Sequence, residues 1–199
     1  MHGVFVTGTD TGVGKTIVSA ALAAARGAGY WKPIQTGSDD DTGTVAQLAG
    51  CPVWAKGIRL PDPVSPHLAA QRAGIRIDLG ELMAMCPTLE AEWLDAEWIV
   101  EGAGGVLVPI NESETMLDVM AALSLPVIVA ARATLGTINH TLLTLAAIRD
   151  RGLSIEQVVM VGDQNPDNRK AIEHYGGVQV KELPWLNPLN PETLRRHPL

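Results

Sequence analysis

The segment Thr7-Gly8-Thr9-Asp10-Thr11-Gly12-Val13-Gly14-Lys15-Thr16 follows a short apolar run and opens a stretch rich in alanine and branched aliphatics. A Walker A loop needs this setting: its glycines let successive N–H groups turn toward phosphate oxygens, and the helix N-terminus adds a favourable dipole. Lys15 then reaches the β- and γ-phosphates, and the Thr16 hydroxyl ligates Mg²⁺. In the strict spacing G-x-x-x-x-G-K-[ST], the first glycine position holds Thr9, with Gly8 one place earlier. Glu101 follows Trp98-Ile99-Val100 and begins Glu101-Gly102-Ala103-Gly104-Gly105. The carboxyl end of a parallel strand faces the ligand crevice, so an acid there lies near the phosphate loop. Magnesium takes oxygen ligands and keeps several waters, and Thr16 and Glu101 supply such a set, with Asp39-Asp40-Asp41 offering another acid. Lys32 is a second lysine at a strand end, followed by Pro33-Ile34-Gln35-Thr36-Gly37. Beside a phosphate loop, a further fixed cation stabilises charge that develops during phosphoryl transfer. The residues alone therefore point to a magnesium-nucleotide enzyme or switch with an acceptor site near Lys32.

The elements that must hold these groups are legible in the apolar runs. Val4–Thr7, Gly29–Lys32, Trp98–Glu101, Pro126–Ala131 and Val158–Gly162 read as strands, with Glu101 closing the third. Unalternating apolar runs of this length suit parallel strands covered on both faces. Thr16–Arg26 reads as a helix packed on the sheet, and helical stretches follow near Thr42–Ala49, Pro66–Ala73, Leu79–Trp93, Met116–Leu123, Ile138–Arg149 and Asn168–Tyr175. Strand–helix alternation implies right-handed crossovers and an α/β, doubly wound, mostly parallel sheet flanked by helices. Nothing divides residues 1–199 into more than one domain, and Leu60–Pro66 and Leu183–Leu199 read as surface connections.

Composition bounds the function. The chain has 199 residues, 15 basic and 22 acidic, for a net charge of −7, which counts against broad binding to nucleic acid backbones. The two cysteines, Cys51 and Cys86, form no metal or redox spacing and read as buried small hydrophobes. The glycine-rich start leaves no room for a signal-peptide core, and no apolar run is long enough to cross a bilayer, so the expectation is a cytoplasmic protein without membrane partners.

The loop Gly8–Thr16 resembles that of the dethiobiotin synthetases. So do Lys32–Gly37, Ser65-Pro66-His67, Glu101–Gly105, Leu135-Gly136-Thr137-Ile138-Asn139-His140 and Leu183-Pro184-Trp185-Leu186, in family order along nearly the whole chain. The resemblance implies a P-loop fold, usually homodimeric, that closes the ureido ring of dethiobiotin from 7,8-diaminononanoate (diaminopelargonate), CO₂ and MgATP. The implied route is a carbamate, its phosphorylation to a mixed anhydride, and ring closure by the second amine with loss of phosphate. Carried over by motif, Lys32 and Lys15 are catalytic, Thr16, Asp41 (with Asp40 as the alternative) and Glu101 hold Mg²⁺, and Thr11 and Thr36 contact substrate. Gly12, Val13, Gly14, Thr16 and Ile17 hold the triphosphate, and Gly102, Ala103 and Gly104 border it. Gly136, Thr137, Ile138 and Asn139 match the stretch that holds the substrate carboxylate from across the dimer. Gly162, Asp163, Pro184, Trp185 and Leu186, with Glu192, match the surroundings of the base.

Two departures stand out. Where the family commonly has Asn-Asp after the fifth strand, this chain has Gly162-Asp163, which removes a side-chain amide from the adenine edge and implies weaker discrimination among nucleoside triphosphates. Asn165 is the nearby candidate to take over that contact. The connection from Arg26 to Trp31 is also short. Competing classes are a P-loop partitioning ATPase, whose signature lysine position here holds Asp10, and a small-molecule kinase, which leaves phosphate on its acceptor.

Overall fold

A computed structural model describes residues 1–87 and 95–199. Seven strands form one parallel sheet in the order β4-β2-β6-β1-β7-β8-β9. They are β1 (His2–Gly8), β2 (Gly29–Trp31), β4 (Val53–Trp54), β6 (Glu97–Gly105), β7 (Val127–Arg132), β8 (Ile155–Val161) and β9 (Val180–Leu183). A separate parallel pair joins β3 (Ile34–Thr36) to β5 (Ile58–Leu60). The five strands expected from apolar runs are the central five of the sheet, β2 to β8 in its spatial order.

Successive residues of each central strand face opposite helix layers, which is why the runs do not alternate with polar residues. Val4 and Val6 of β1 pack with Ile99, Ile128 and Val159 under α1 (Lys15–Arg26) and α2 (Asp41–Ala49). Phe5 turns the other way, with Val100, Val129 and Met160, toward α5 (Met116–Leu123), α6 (Thr137–Asp150) and α7 (Pro166–Gly176). Two short helices, α3 (Pro66–Arg72) and α4 (Leu79–Met83), bury Ala69, Ala70 and Leu82 in that same layer.

Several expectations are corrected here. β6 runs on to Gly105, so Glu101 sits in mid-strand opposite Val6, fully buried, rather than at the strand's end. α4 stops at Met83 because Pro87 follows shortly, and the residue before a proline is held out of helical geometry. Residues 88–93 of the expected helix lie outside the described residues. The tail is more than a connection: α8 (Pro191–Arg195) packs on α1 and α2 and buries Leu194. Leu60–Pro66 forms part of a cleft wall, and Cys51 is only half-buried whereas Cys86 is buried. Among the described residues, no helix is long and apolar enough to cross a membrane.

Candidate active site

The phosphate loop fills the turn between β1 and α1, at the carboxyl edge of the sheet. Gly14 caps α1 with φ 93°, a left-handed conformation that disfavours side chains, and a Cβ there would lie 2.9 Å from the Val161 side chain. Glycine is thus required at that position by both backbone and packing. Lys15 follows as the first helical residue, is buried, and its Nζ donates to the Asp10 carbonyl at 3.1 Å. Asp10 is itself held: its Oδ1 accepts the Thr11 N–H at 2.7 Å, and its Oδ2 accepts from Arg132 Nη2 at 2.6 Å. Arg132 ends β7 and also reaches the Thr11 carbonyl at 3.3 Å, so it ties the loop's first half to the neighbouring strand.

Three charged side chains meet one turn away. Lys32, immediately after β2, puts Nζ 2.5 Å from Asp41 Oδ2 and 2.7 Å from Glu101 Oε1. The Thr16 hydroxyl lies 3.0 Å from Asp41 Oδ1 and 3.2 Å from Glu101 Oε1, so its single proton serves one acceptor at a time. Tyr30 donates its hydroxyl to Glu101 Oε2 at 2.9 Å. Burial acts to depress the Lys32 ammonium, but Glu101 and Asp41 outweigh it and hold the pKa above the ordinary lysine value. Burial likewise acts to raise Asp41, and Lys32 reverses the sign, leaving this carboxyl below its ordinary value. Lys15 goes the other way: burial lowers its pKa, and the attraction of Glu101 does not fully offset it. Burial, followed by the charge of Glu101, pushes the Tyr30 hydroxyl well above 10, so it remains a donor.

Helix geometry gives the two aspartates different surroundings. Asp40 is the N-cap of α2, accepting the Gly43 N–H at 3.1 Å, and it also faces Arg59 at 3.6 Å. Asp41, one residue on, turns inward to Thr16 and Lys32. The set of Thr16, Asp41 and Glu101 fits a hard divalent cation, since all donors are oxygen and the Lys32 ammonium is already seated between the two carboxylates. No cluster of three or more acidic, histidine or cysteine ligands occurs among the described residues, so water and phosphate oxygens would complete the coordination.

These residues line a cleft of about 680 Å³. Thr11, Gly12, Gly14, Lys15, Thr16 and Ile17 form its loop side, and Lys32, Thr36, Asp41, Glu101, Ala103 and Gly104 form its floor. Gly102 is buried behind it, with its α-carbon side against the Phe5 ring. Sequence reasoning missed Tyr30, Gln35, Arg132 and the wall of Pro63, Val64 and Val108. Gln35 is buried beside Thr36 and donates its amide N–H to the Thr36 carbonyl at 3.1 Å.

Gly12 also borders a second pocket of about 300 Å³, with Val13, Arg132, Val161, Gly162, Asp163, Asn165 and Trp185. Trp185 is 69% exposed, so it is a pocket wall rather than an anchor of the tail. Pro184 and Leu186 flank it in sequence, and Leu186 packs toward the α1 layer. Glu192 is not among the pocket's lining residues; it lies in the first turn of α8, with its carboxylate 2.5 Å from Arg196. Gly136, Thr137, Ile138 and Asn139 line neither pocket and form the start of α6, with Leu135 fully exposed just before them.

The chain has relatives among known proteins. Residues 2–193 match a family model described as an AAA domain. The ATP-dependent dethiobiotin synthetase BioD of Paramagnetospirillum magneticum is 54% identical over 192 residues, covering 95% of this chain and 89% of that protein. The enzyme of the same name from Sphingopyxis alaskensis is 45% identical, covering 95% and 91%. Among solved structures, a ParA family ATPase from Chlorobium tepidum superposes with a TM-score of 0.61 at 12% identity, covering 97% of this chain and 88% of that one. The MinC:MinD cell division complex of Aquifex aeolicus gives 0.58 at 10%, covering 100% and 87%. At such identities those two speak for the P-loop fold alone. With sequence kinship spanning nearly the full length of both partners, the chain belongs to the ATP-dependent dethiobiotin synthetase family.

Proposed function

We propose that this chain closes the ureido ring of dethiobiotin from 7,8-diaminononanoate, CO₂ and ATP, with Mg²⁺ as cofactor. One juxtaposition carries the reading: Lys15 and Lys32, with the oxygens of Thr16, Asp41 and Glu101, line a single cleft beside the phosphate loop. The first chemical step brings two anions together, a carbamate on one substrate amine and the γ-phosphate. Lys15, turning from the Asp10 carbonyl, donates to the terminal phosphate oxygens. Lys32, turning from Asp41 and Glu101, bridges the carbamate and the transferring phosphoryl group and offsets their repulsion. Thr16, Asp41 and Glu101 would hold magnesium, which would supply further charge neutralisation for phosphoryl transfer. The hydroxyls of Thr11 and Thr36 orient the diamine, and the cleft wall of Pro63, Val64 and Val108 covers its aliphatic part. The second amine then attacks the anhydride carbonyl, and phosphate leaves toward the same lysines.

The test is the stoichiometry of phosphate release. Release that requires both bicarbonate and the diamine, with no phosphate left on the organic product, is the expected result. Release independent of the diamine, or a phosphorylated diamine, contradicts the assignment.

The smaller pocket is assigned to the nucleoside base, stacked beside Trp185. Gly162 has φ 126° and offers no side chain toward that space, and a Cβ there would stand 3.5 Å from Trp185 Nε1. Asn165 does not substitute: its Nδ2 donates to the Ala133 carbonyl at 3.2 Å, and its Oδ1 accepts the Asn168 N–H at 3.0 Å. CTP and GTP are therefore expected to compete with ATP, within about tenfold in affinity, because stacking and apolar contact discriminate weakly. ATP turnover unmoved by a large excess of CTP or GTP would rule this out.

The carboxylate tail of the substrate is assigned to Gly136, Thr137, Ile138 and Asn139 of a second copy, whose helix start presents N–H groups to an anion. In support, Leu135, fully exposed, and Leu143, 63% exposed, rise on one side of α6 with Asn139 between them. Sedimentation of the purified 21.1 kDa chain as a dimer is expected, and a monomer at working concentration contradicts it.

A further inference from the structure

Tyr30 touches the charged cluster from beneath, and the scheme above leaves it unused. Its ring lies in the α1 layer with no exposed surface, in contrast to Trp31, which faces the opposite layer. Its hydroxyl takes Glu101 Oε2 at 2.9 Å, whereas Glu101 Oε1 faces Lys32 Nζ at 2.7 Å and Thr16 Oγ1 at 3.2 Å. The two oxygens of one fully buried carboxylate are thus divided between a structural donor and the reacting side of the cleft. A carboxylate free to turn about its last bond offers either oxygen, or both, to a cation. The Tyr30 bond removes that freedom, since turning Oε2 away would strand a buried hydroxyl.

We propose that Tyr30 is the positioning residue of the cation site: by holding Oε2, it presents Oε1 of Glu101 alone to Thr16, Lys32 and the divalent ion. This rests on the assignment of Glu101 to magnesium made above. Partners that orient a ligating group from behind govern metal affinity strongly, because they fix the ligand's direction before the ion arrives.

The direct test is Mn²⁺ binding, followed by electron paramagnetic resonance, to the complex with a non-hydrolysable ATP analogue. Tyr30→Phe keeps the ring and is expected to weaken Mn²⁺ about 10- to 100-fold. Nucleotide affinity measured in EDTA is expected to stay within about twofold of the parent, as the hydroxyl faces no nucleotide group. Unchanged Mn²⁺ affinity in folded Tyr30→Phe, with Glu101→Gln weakened, overturns the role of Tyr30 and leaves the metal assignment standing. Unchanged affinity in Glu101→Gln overturns both.

A second readout covers poor folding of the variant. Tyr30 and Tyr175 are the two tyrosines of the chain, and Tyr175 is 73% exposed. Tyr175→Phe labelled with 3-fluorotyrosine therefore carries one fluorine reporter, at position 30. Its resonance is expected to shift on saturation with Mg²⁺ and to stay fixed when Glu101→Gln is added. A resonance indifferent to Mg²⁺ in the parent background overturns the proposal.

Discussion

Lys32→Met is expected to lower kcat by about 10³-fold or more, the scale seen when a fixed group that stabilises transition-state charge is removed from a dry site. The loss is expected in kcat because, in the proposed scheme, Lys32 meets the transferring group rather than the resting triphosphate. The same substitution acts on the free protein as well. Lys32 is buried between Asp41 and Glu101, and removing one partner of such a cluster leaves like charges facing each other, typically costing about 3 kcal/mol. The variant's melting temperature is expected to fall in EDTA and to recover in part with Mg²⁺, since a divalent ion replaces the missing cation between the carboxylates. Turnover near the parent's value removes Lys32 from the catalytic set. A melting temperature unaffected in EDTA contradicts the counter-ion role.

Lys15→Ala is expected to weaken ATP binding about 10²-fold, because a charge-assisted contact to phosphate contributes roughly 3 kcal/mol. Turnover should fall below detection, as no other buried ammonium in the loop can reach the terminal phosphates. Binding of AMP is expected to change little, which separates loss of the lysine from collapse of the loop. Calorimetry with ATP, ADP and AMP makes the comparison. Equal losses for all three nucleotides would indicate a disordered loop, and ATP affinity within about twofold of the parent would deny Lys15 its phosphate role.

The centre of the sheet was readable because its strands are covered on both faces and so carry uninterrupted apolar residues. Its edges were not. Val53–Trp54 is two residues long, and Val180–Leu183 sets half-buried Lys181 and Glu182 side by side between Val and Leu, which gives no alternation to separate it from a loop. The small β3–β5 pair escaped for the same reason: two strands of three residues, parallel and separated in sequence by α2 and β4, carry no period. In the site, Lys15, Thr16, Lys32 and Glu101 were legible as charged or hydroxyl groups at the ends of apolar segments. Asp41 came from the resemblance, with Asp40 as the alternative; what the sequence did not show is that the start of α2 makes Asp40 the cap and turns Asp41 inward. Tyr30 was hidden inside the short strand Gly29–Lys32, because its ring is packed in the core and only its hydroxyl reaches Glu101. Arg132 follows an apolar strand as an ordinary exposed arginine, and only the folded loop brings Asp10 to it.

The most direct test of the whole account follows a single carbon. The chain is incubated with ATP, Mg²⁺, 7,8-diaminononanoate and ¹³C-bicarbonate, and the organic product is weighed by mass spectrometry. The account predicts a product heavier than the diamine by one labelled carbonyl and lighter by two hydrogens, formed in step with free phosphate. A product that carries phosphate, or a diamine recovered without the label while ATP is consumed, would contradict it.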